Sequence, residues 1–350
     1  MTEGSSALGR SRRSFLVTAG AASALSMAGC LGDSSDDSVS FLLNPAEDNV
    51  DIELQYQPFV TYIEDEVGVE IETTQTADYS ATFTELESGR GDLADTSPSA
   101  IVATESFAEP LGLRVAFGAE KYFSMITTPA GSSIDSLSDL EGEEVALGST
   151  LSVSGGLVPS LMLSEADLDI GDIPNGEAND FTATFTGDHF TAVSTAREDD
   201  RIAAAASGAF AVASDVPRQQ VEEISQDFVD ISAEYENTAT DPSEASMDVL
   251  EISDPIPRAP IMVRSDWDHP DREAIEDAML NAPEEAFRWD DEEELADELG
   301  VDPSTDEGQE AISNHQPWFD DVVEADDSDY DYIRTVLDEL GLEFQDITGN

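Results

Sequence analysis

The sequence predicts an α/β protein of two lobes, each a mostly parallel sheet with helices on both faces. Two observations carry that prediction. Short apolar, β-rich runs alternate with stretches of helical spacing from about residue 39 to residue 214. The order of elements then places two chain crossovers between the lobes, near 125–130 and near the proline-rich 253–262. The length of 350 residues suits two such lobes beyond an N-terminal leader.

The elements follow in order. Residues 39–43 are apolar and stop at Asn44-Pro45, a first strand. Leu54, Phe59, Tyr62, Ile63 and Val67 recur at helical spacing over 51–67, and 69–73 alternates like a half-buried strand. A helix is expected over 78–89, a brief strand over 92–95, and a helix from Ser97-Pro98 to about 105, with serine as cap and proline at the first helical position. Residues 122–128 read as a strand, 136–140 as a short helix and 144–148 as a strand. The small-residue loop 152–156 leads into a helix from 157, whose Pro159 falls in the first turn. Beyond a loop at 170–180, strands are expected at 181–186 and 209–214 with a helix over 190–198 between them. Residues 235–246 are loop-like, 249–252 and 260–264 are strands, and 270–345 reads as helical and very acidic. These readings divide the chain into a signal (1–30), an acidic tether (31–38), a first lobe (39–128 and 258–350) and a second lobe (129–257).

Charge narrows the function. The chain carries 78 Asp and Glu against 14 Lys and Arg, a formal charge of −64, and its only lysine is Lys121. Nucleic-acid binding through a basic face is excluded, because phosphate contacts need clustered cations. Such a charge self-repels in dilute buffer, but at about 1 M salt the Debye length falls to about 3 Å. Acid spread from residue 33 to 346 therefore reads as adaptation to very high salt. A hydrophobic content of 40% still suffices for a packed core.

The N-terminus reads as an address followed by a tether. Ser11-Arg12-Arg13-Ser14-Phe15-Leu16 resembles the twin-arginine export signal, and the apolar run 17–28 is too short to span a membrane. It ends at Met27-Ala28-Gly29-Cys30, which resembles a lipobox with Cys30, the only cysteine, as the lipidated residue. The expectation is an exported protein held by lipid on the outer face of the cell membrane. One cysteine excludes an internal disulfide framework and any cysteine-based zinc site.

Candidate chemistry gathers at helix starts. Ser152-Val153-Ser154-Gly155-Gly156 lies between a strand and a helix, where free backbone N–H groups, the helix dipole and serine hydroxyls can hold an oxyanion without Lys or Arg; an ordinary capping loop reads the same way. Gly187-Asp188-His189, Asp78-Tyr79 and Thr96-Ser97-Pro98 occupy similar junctions. No G-x-S-x-G elbow, P-loop, G-x-G-x-x-G or paired-histidine metal motif occurs, so neither catalysis nor a metal or cofactor is expected.

These signals, in this order, resemble the substrate-binding proteins of phosphate, phosphite and phosphonate ABC importers, the phosphonate-binding group of the type II periplasmic-binding fold. The matching stretches run from Asn44-Pro45 through Ala77-Asp78-Tyr79, Gly91-Asp92-Leu93-Ala94 and Ser136–Gly142 to Ser152–Pro159 and Gly187-Asp188-His189. The resemblance implies a small oxyanion held between the lobes by Tyr79, Ser152, Ser154 and His189, and by backbone N–H groups around Val153, Ser154 and Gly155. Thr96 and Ser97 stand where the family places a second aromatic contact. Val153 stands where the family loop usually has threonine. Relatives that take aminoalkylphosphonates set acids against the ligand ammonium; the corresponding stretches here, 211–213 and 257–260, hold none, and Arg258 could face an anion instead. The implied partners are an ABC permease and ATPase. The alternatives are a sensory binding protein of the same fold and a secreted hydrolase using Ser154 and His189.

Overall fold

The computed structural model describes residues 38–44, 50–289 and 291–342. The export signal, Cys30 and nearly all of the tether lie outside the described residues.

Six strands build the first sheet, in the order β13-β4-β12-β3-β1-β2. They are β1 (Ser38–Leu43), β2 (Glu70–Gln75), β3 (Leu93–Asp95), β4 (Ala108–Val115), β12 (Pro260–Arg264) and β13 (Asp321–Glu324). The first three pair in parallel, as expected of strands joined by helical crossovers. The strands β12, β4 and β13 pair antiparallel. The second sheet runs β10-β6-β9-β7-β8, with β6 (Ser124–Pro129), β7 (Glu144–Leu147), β8 (Thr182–Phe185), β9 (Ile202–Gly208) and β10 (Met247–Ile252). Its β7 pairs in parallel with β8 and β9, while β6 runs antiparallel to β9 and β10. Between the sheets, β5 (Lys121–Tyr122) pairs with β11 (Ile256–Pro257), tying the two chain crossovers together.

Several expectations are corrected here. The strand expected with the first lobe over 122–128 joins the second sheet, so the crossover precedes residue 124. The strand expected at 209–214 lies earlier, at β9, and 209–215 forms two single 3₁₀ turns. Its alanines are short enough to read as strand anywhere along the run 202–214. The strand β4 went unseen because Pro110 and Gly112 interrupt its apolar pattern, and β13 because it is embedded in acid. The helix expected from Ser97-Pro98 is one turn, α3 (Ala100–Ala103), and Ser97 does not cap it.

Helix starts are the features that position the cleft. The helix α1 (Ile52–Val67) turns Tyr56, Phe59 and Ile63 into the core beneath β1 and ends on Gly68 at φ 83°, a left-handed position suited to glycine. The helices α2 (Tyr79–Glu87) and α5 (His189–Glu198) share one device. Asp78 accepts from the Ala81 N–H at 2.8 Å, and Asp188 accepts from the Thr191 N–H at 2.8 Å. Each cap sets the next residue, Tyr79 or His189, at the first helical position. The helix α4 (Val158–Glu165) is entered through a π turn, Val153–Leu157.

Among the described residues no helix is long and apolar enough to cross a membrane, and no cluster of His, Cys, Asp and Glu could hold a metal ion.

Candidate binding cleft

A cavity of about 300 Å³ lies between the carboxyl ends of the parallel strands of both sheets, where open α/β sheets usually bind ligands. It brings together Tyr79, Thr96, Ser97, Ser152, Ser154, His189 and Arg258. Of the expected residues, Val153 and Gly155 do not line it. The Val153 side chain is buried in the apolar core.

The loop 152–157 is built around Ser152. Its Oγ accepts from the Gly155 N–H at 3.1 Å, and its carbonyl accepts from the N–H groups of Gly156 and Leu157, each at 3.0 Å. The N–H groups of Val153 and Ser154, which have no partner among the described residues, are the donors left over at this helix start. Two glycines permit the packing. A Cβ on Gly156 would stand 2.4 Å from the Ser149 carbonyl oxygen, and one on Gly155 would stand 2.8 Å from the His189 ring.

His189 is only 4% exposed, and its hydrogen bonds assign its tautomer. The Gly208 N–H donates to Nδ1 at 2.9 Å, so the ring proton sits on Nε2. From there it donates to Ser152 Oγ, 3.1 Å away. The serine oxygen thus accepts twice, which leaves its own proton available to donate into the cavity it lines. Burial holds His189 down to about pH 4, so the imidazole stays neutral. In this arrangement His189 orients Ser152. The polarity is the reverse of a catalytic dyad, in which the ring nitrogen facing serine is the unprotonated base. It also engages Ser152, whereas the hydrolase alternative requires Ser154.

The remaining donors come from the other wall. Thr96 is 2% exposed, and its Oγ1 has no hydrogen-bond partner among the described residues. Ser97 Oγ and Ser99 Oγ instead donate to the Leu151 carbonyl, at 3.4 and 2.9 Å, and tie this wall to the loop before Ser152. Burial raises the phenols of Tyr79 and Tyr122, the latter to about 12, so both remain protonated donors.

Two buried ion pairs complete the lining, and neither was legible in the sequence. Arg114 pairs with Asp95 and donates to Tyr56 Oη at 2.7 Å, to the Thr96 carbonyl at 3.2 Å and to the Ala259 carbonyl at 3.2 Å. Its guanidinium lies 4.5 Å from the Trp318 ring centroid. Burial pushes the Asp95 carboxyl up to about 6 against the pull of Arg114. Arg258, expected to face an anion, donates instead to Glu234 at 2.9 Å and to the Ala119 carbonyl at 2.9 Å. Acids therefore do line the cleft, but from positions outside 211–213 and 257–260.

Residues 41–330 match the family described as ABC transporter, phosphonate, periplasmic substrate-binding protein. The chain belongs to that family. A curated member, the phosphate-import protein PhnD of Mycolicibacterium smegmatis, is 29% identical over 193 residues. That alignment covers 50% of this chain and 59% of the relative's length. Among solved structures, the binding-protein component of an ABC phosphonate transporter from Pseudomonas aeruginosa superposes with a TM-score of 0.60 at 17% identity, covering 87% of each chain. PhnD1 from Prochlorococcus marinus, in complex with methylphosphonate, gives 0.57 at 14% identity, covering 87% of this chain and 99% of that one. At such identities the likeness shows the fold alone, that of the two-lobed periplasmic-binding architecture. The family matched over residues 41–330 is one of substrate-binding proteins, not a family of enzymes.

Proposed function

We propose that this phosphonate-binding family member captures a small tetrahedral oxyanion (phosphonate, phosphite or phosphate) in the cleft and delivers it to an ABC permease and ATPase. The observation that carries this reading is the free donor set around Ser152: its hydroxyl and the N–H groups of Val153 and Ser154, beside the unpartnered Thr96 hydroxyl. Tyr79 adds a hydroxyl to this ring, and so does Ser154, whose side chain also hydrogen-bonds the Tyr122 phenol. Hydrogen bonds to a charged group contribute about 1.5–3 kcal/mol each, so a handful offsets the cost of desolvating the anion. Because the donors are local and uncharged, the −64 charge of the chain matters little once salt shortens the Debye length to about 3 Å.

The test is titration calorimetry in molar KCl with phosphate, phosphite, methylphosphonate, aminoethylphosphonate and sulfate. At least one phosphorus oxyanion is expected to bind, and Ser154→Ala to weaken it at least about tenfold. Absence of heat from every phosphorus ligand, or an unchanged affinity in Ser154→Ala, overturns the reading.

The protein acts, in the same proposal, outside the cytoplasm, exported by the twin-arginine route and held by lipid on Cys30, in a cell living at high salt. Cys30→Ser should release it into the medium, and continued membrane retention would refute the anchor. Transfer to about 0.1 M salt, where the Debye length is about 10 Å, should loosen the fold. Full retention of structure there would refute the salt adaptation.

A further inference from the structure

Among the described residues four charged side chains line the cavity, and they cancel: Arg114 against Asp95, and Arg258 against Glu234. The two pairs are not equivalent. Arg114 is bound on every side, by Asp95, Tyr56, the Thr96 and Ala259 carbonyls and the Trp318 face. Arg258 uses Nε on the Ala119 carbonyl and Nη2 on Glu234, while Nη1 makes no hydrogen bond among the described residues. It is the cleft cation with donors to spare. Its charge is nevertheless matched by Glu234, a 7% exposed carboxylate that also accepts from Ser232 Oγ at 2.6 Å.

We infer that Glu234 sets the charge of the ligand the cleft accepts: by neutralising Arg258 it favours a singly charged tetrahedral oxyanion over the doubly charged form. This rests on the oxyanion reading of the cleft. An anion entering a neutral, buried site brings its whole charge unbalanced, and a second charge meets the Glu234 carboxylate at short range. Molar salt does not remove this effect, because buried groups are screened far less than exposed ones.

The protein's own groups allow a clean measurement. Facing Glu234 and Arg258 are Tyr122 and, across the cavity, Tyr79, His189 and the Arg114–Asp95 pair. His189 titrates near 4 and Asp95 near 6, and both tyrosines are raised. None of these described groups titrates between about pH 7 and about pH 9, so the second ionisation of a phosphorus oxyanion, which lies near neutral pH, is the main titration there.

The experiment is calorimetric titration of the full chain with methylphosphonate at both pH values in molar KCl. The affinity is expected to fall at least about tenfold from the lower pH to the higher, following the ligand monoanion. Glu234→Gln should reduce that fall to within about threefold by strengthening binding at the higher pH, and Glu234→Asp, which keeps the charge, should retain it. Binding by the wild type with no pH dependence, or a full fall in Glu234→Gln, overturns the inference while leaving the oxyanion site standing. No binding at either pH removes both. Should Glu234→Gln fail to fold, the wild-type profile and Glu234→Asp still decide: a flat wild-type profile, or loss of the fall in Glu234→Asp, overturns the inference.

Discussion

The two walls of the cleft are built by different means. The second-sheet wall is centred on one short loop, to which a single distant side chain, His189, is added 37 residues on. Ser152 and Gly155 are three residues apart and, with His189 on the neighbouring helix, they complete a donor site made of neutral groups. The wall formed by the first sheet and the crossovers is assembled from afar. Tyr56 reaches Asp95 across 39 residues, Arg114 reaches Tyr56 across 58, and Arg258 reaches Ala119 across 139. The first wall is shaped to meet a ligand, with donors left over. The second holds itself together with charge and leaves few donors free. A binding protein needs both, because donors hold an anion well only where their geometry is already fixed.

The largest expected effect breaks the distant wall. Arg114→Met should cost about 3–5 kcal/mol of stability, because it strands the buried Asp95 carboxylate and releases Tyr56 and the Thr96 carbonyl. Adding Asp95→Asn should recover part of that loss, since the uncompensated charge is then gone. Chemical denaturation in molar KCl reads both. If the single variant is as stable as the wild type, the pair does not hold the wall, and the contrast between the two sides fails.

The next effect concerns His189 and pH. Its folded pKa, about 4, lies below the usual 6.5, so over that window the unfolded chain binds more protons and stability rises with pH. The contribution is fully present above about 6.5 and is lost as pH falls through 4, a change of about 3 kcal/mol. Asp95 acts in the opposite sense. Its raised carboxyl gains protons on folding, so it adds stability as pH falls below 6 and offsets part of the loss. The informative quantity is therefore the difference between wild type and His189→Gln, which should shrink as pH falls from 6.5 toward 4. A constant difference would show that the imidazole is not held neutral by burial.

Ser152→Ala should weaken oxyanion binding at least about tenfold while costing about 1–3 kcal/mol of stability, less than Arg114→Met, through the lost cap and the buried His189 Nε2–H left without its acceptor. The comparison sharpens if affinity and stability separate in this way. It breaks if Ser152→Ala destabilises the fold as much as Arg114→Met.

How much was legible in advance follows the same division. The α/β class, the helix starts at Asp78-Tyr79 and Asp188-His189 and the donor loop were readable, because capping aspartates, small residues and short spacing act over a few residues. Tyr79, Thr96, Ser97, Ser152, Ser154, His189 and Arg258 do meet at one cavity. The roles within it were not readable. That His189 holds Ser152 depends on the Gly208 N–H, 19 residues on, and that Arg258 is matched by Glu234 depends on a contact across 24 residues. Arg114 and Asp95 gave no local signal at all. Their ion pair exists only because β3 and β4 both flank β12. The misplaced strand at 209–214 has a related cause: a run of alanines has no periodicity to show where it leaves the sheet.

The smallest effect tests the one position of the loop where side chain and backbone were expected to matter together. Val153 occupies a place where the resemblance suggests a threonine hydroxyl. Its side chain is 1% exposed and packs among Leu151, Leu157 and their neighbours, so the position can contribute to the cleft only through its N–H. Val153→Thr is nearly isosteric and leaves that N–H in place. It should change oxyanion affinity by less than about twofold and cost about 1–3 kcal/mol for placing a hydroxyl among apolar groups, less if the new Oγ1 finds a carbonyl in the preceding turn. A gain in affinity of tenfold would mean that the side chain reaches the ligand, and that the loop turns its donors differently from the arrangement around Ser152.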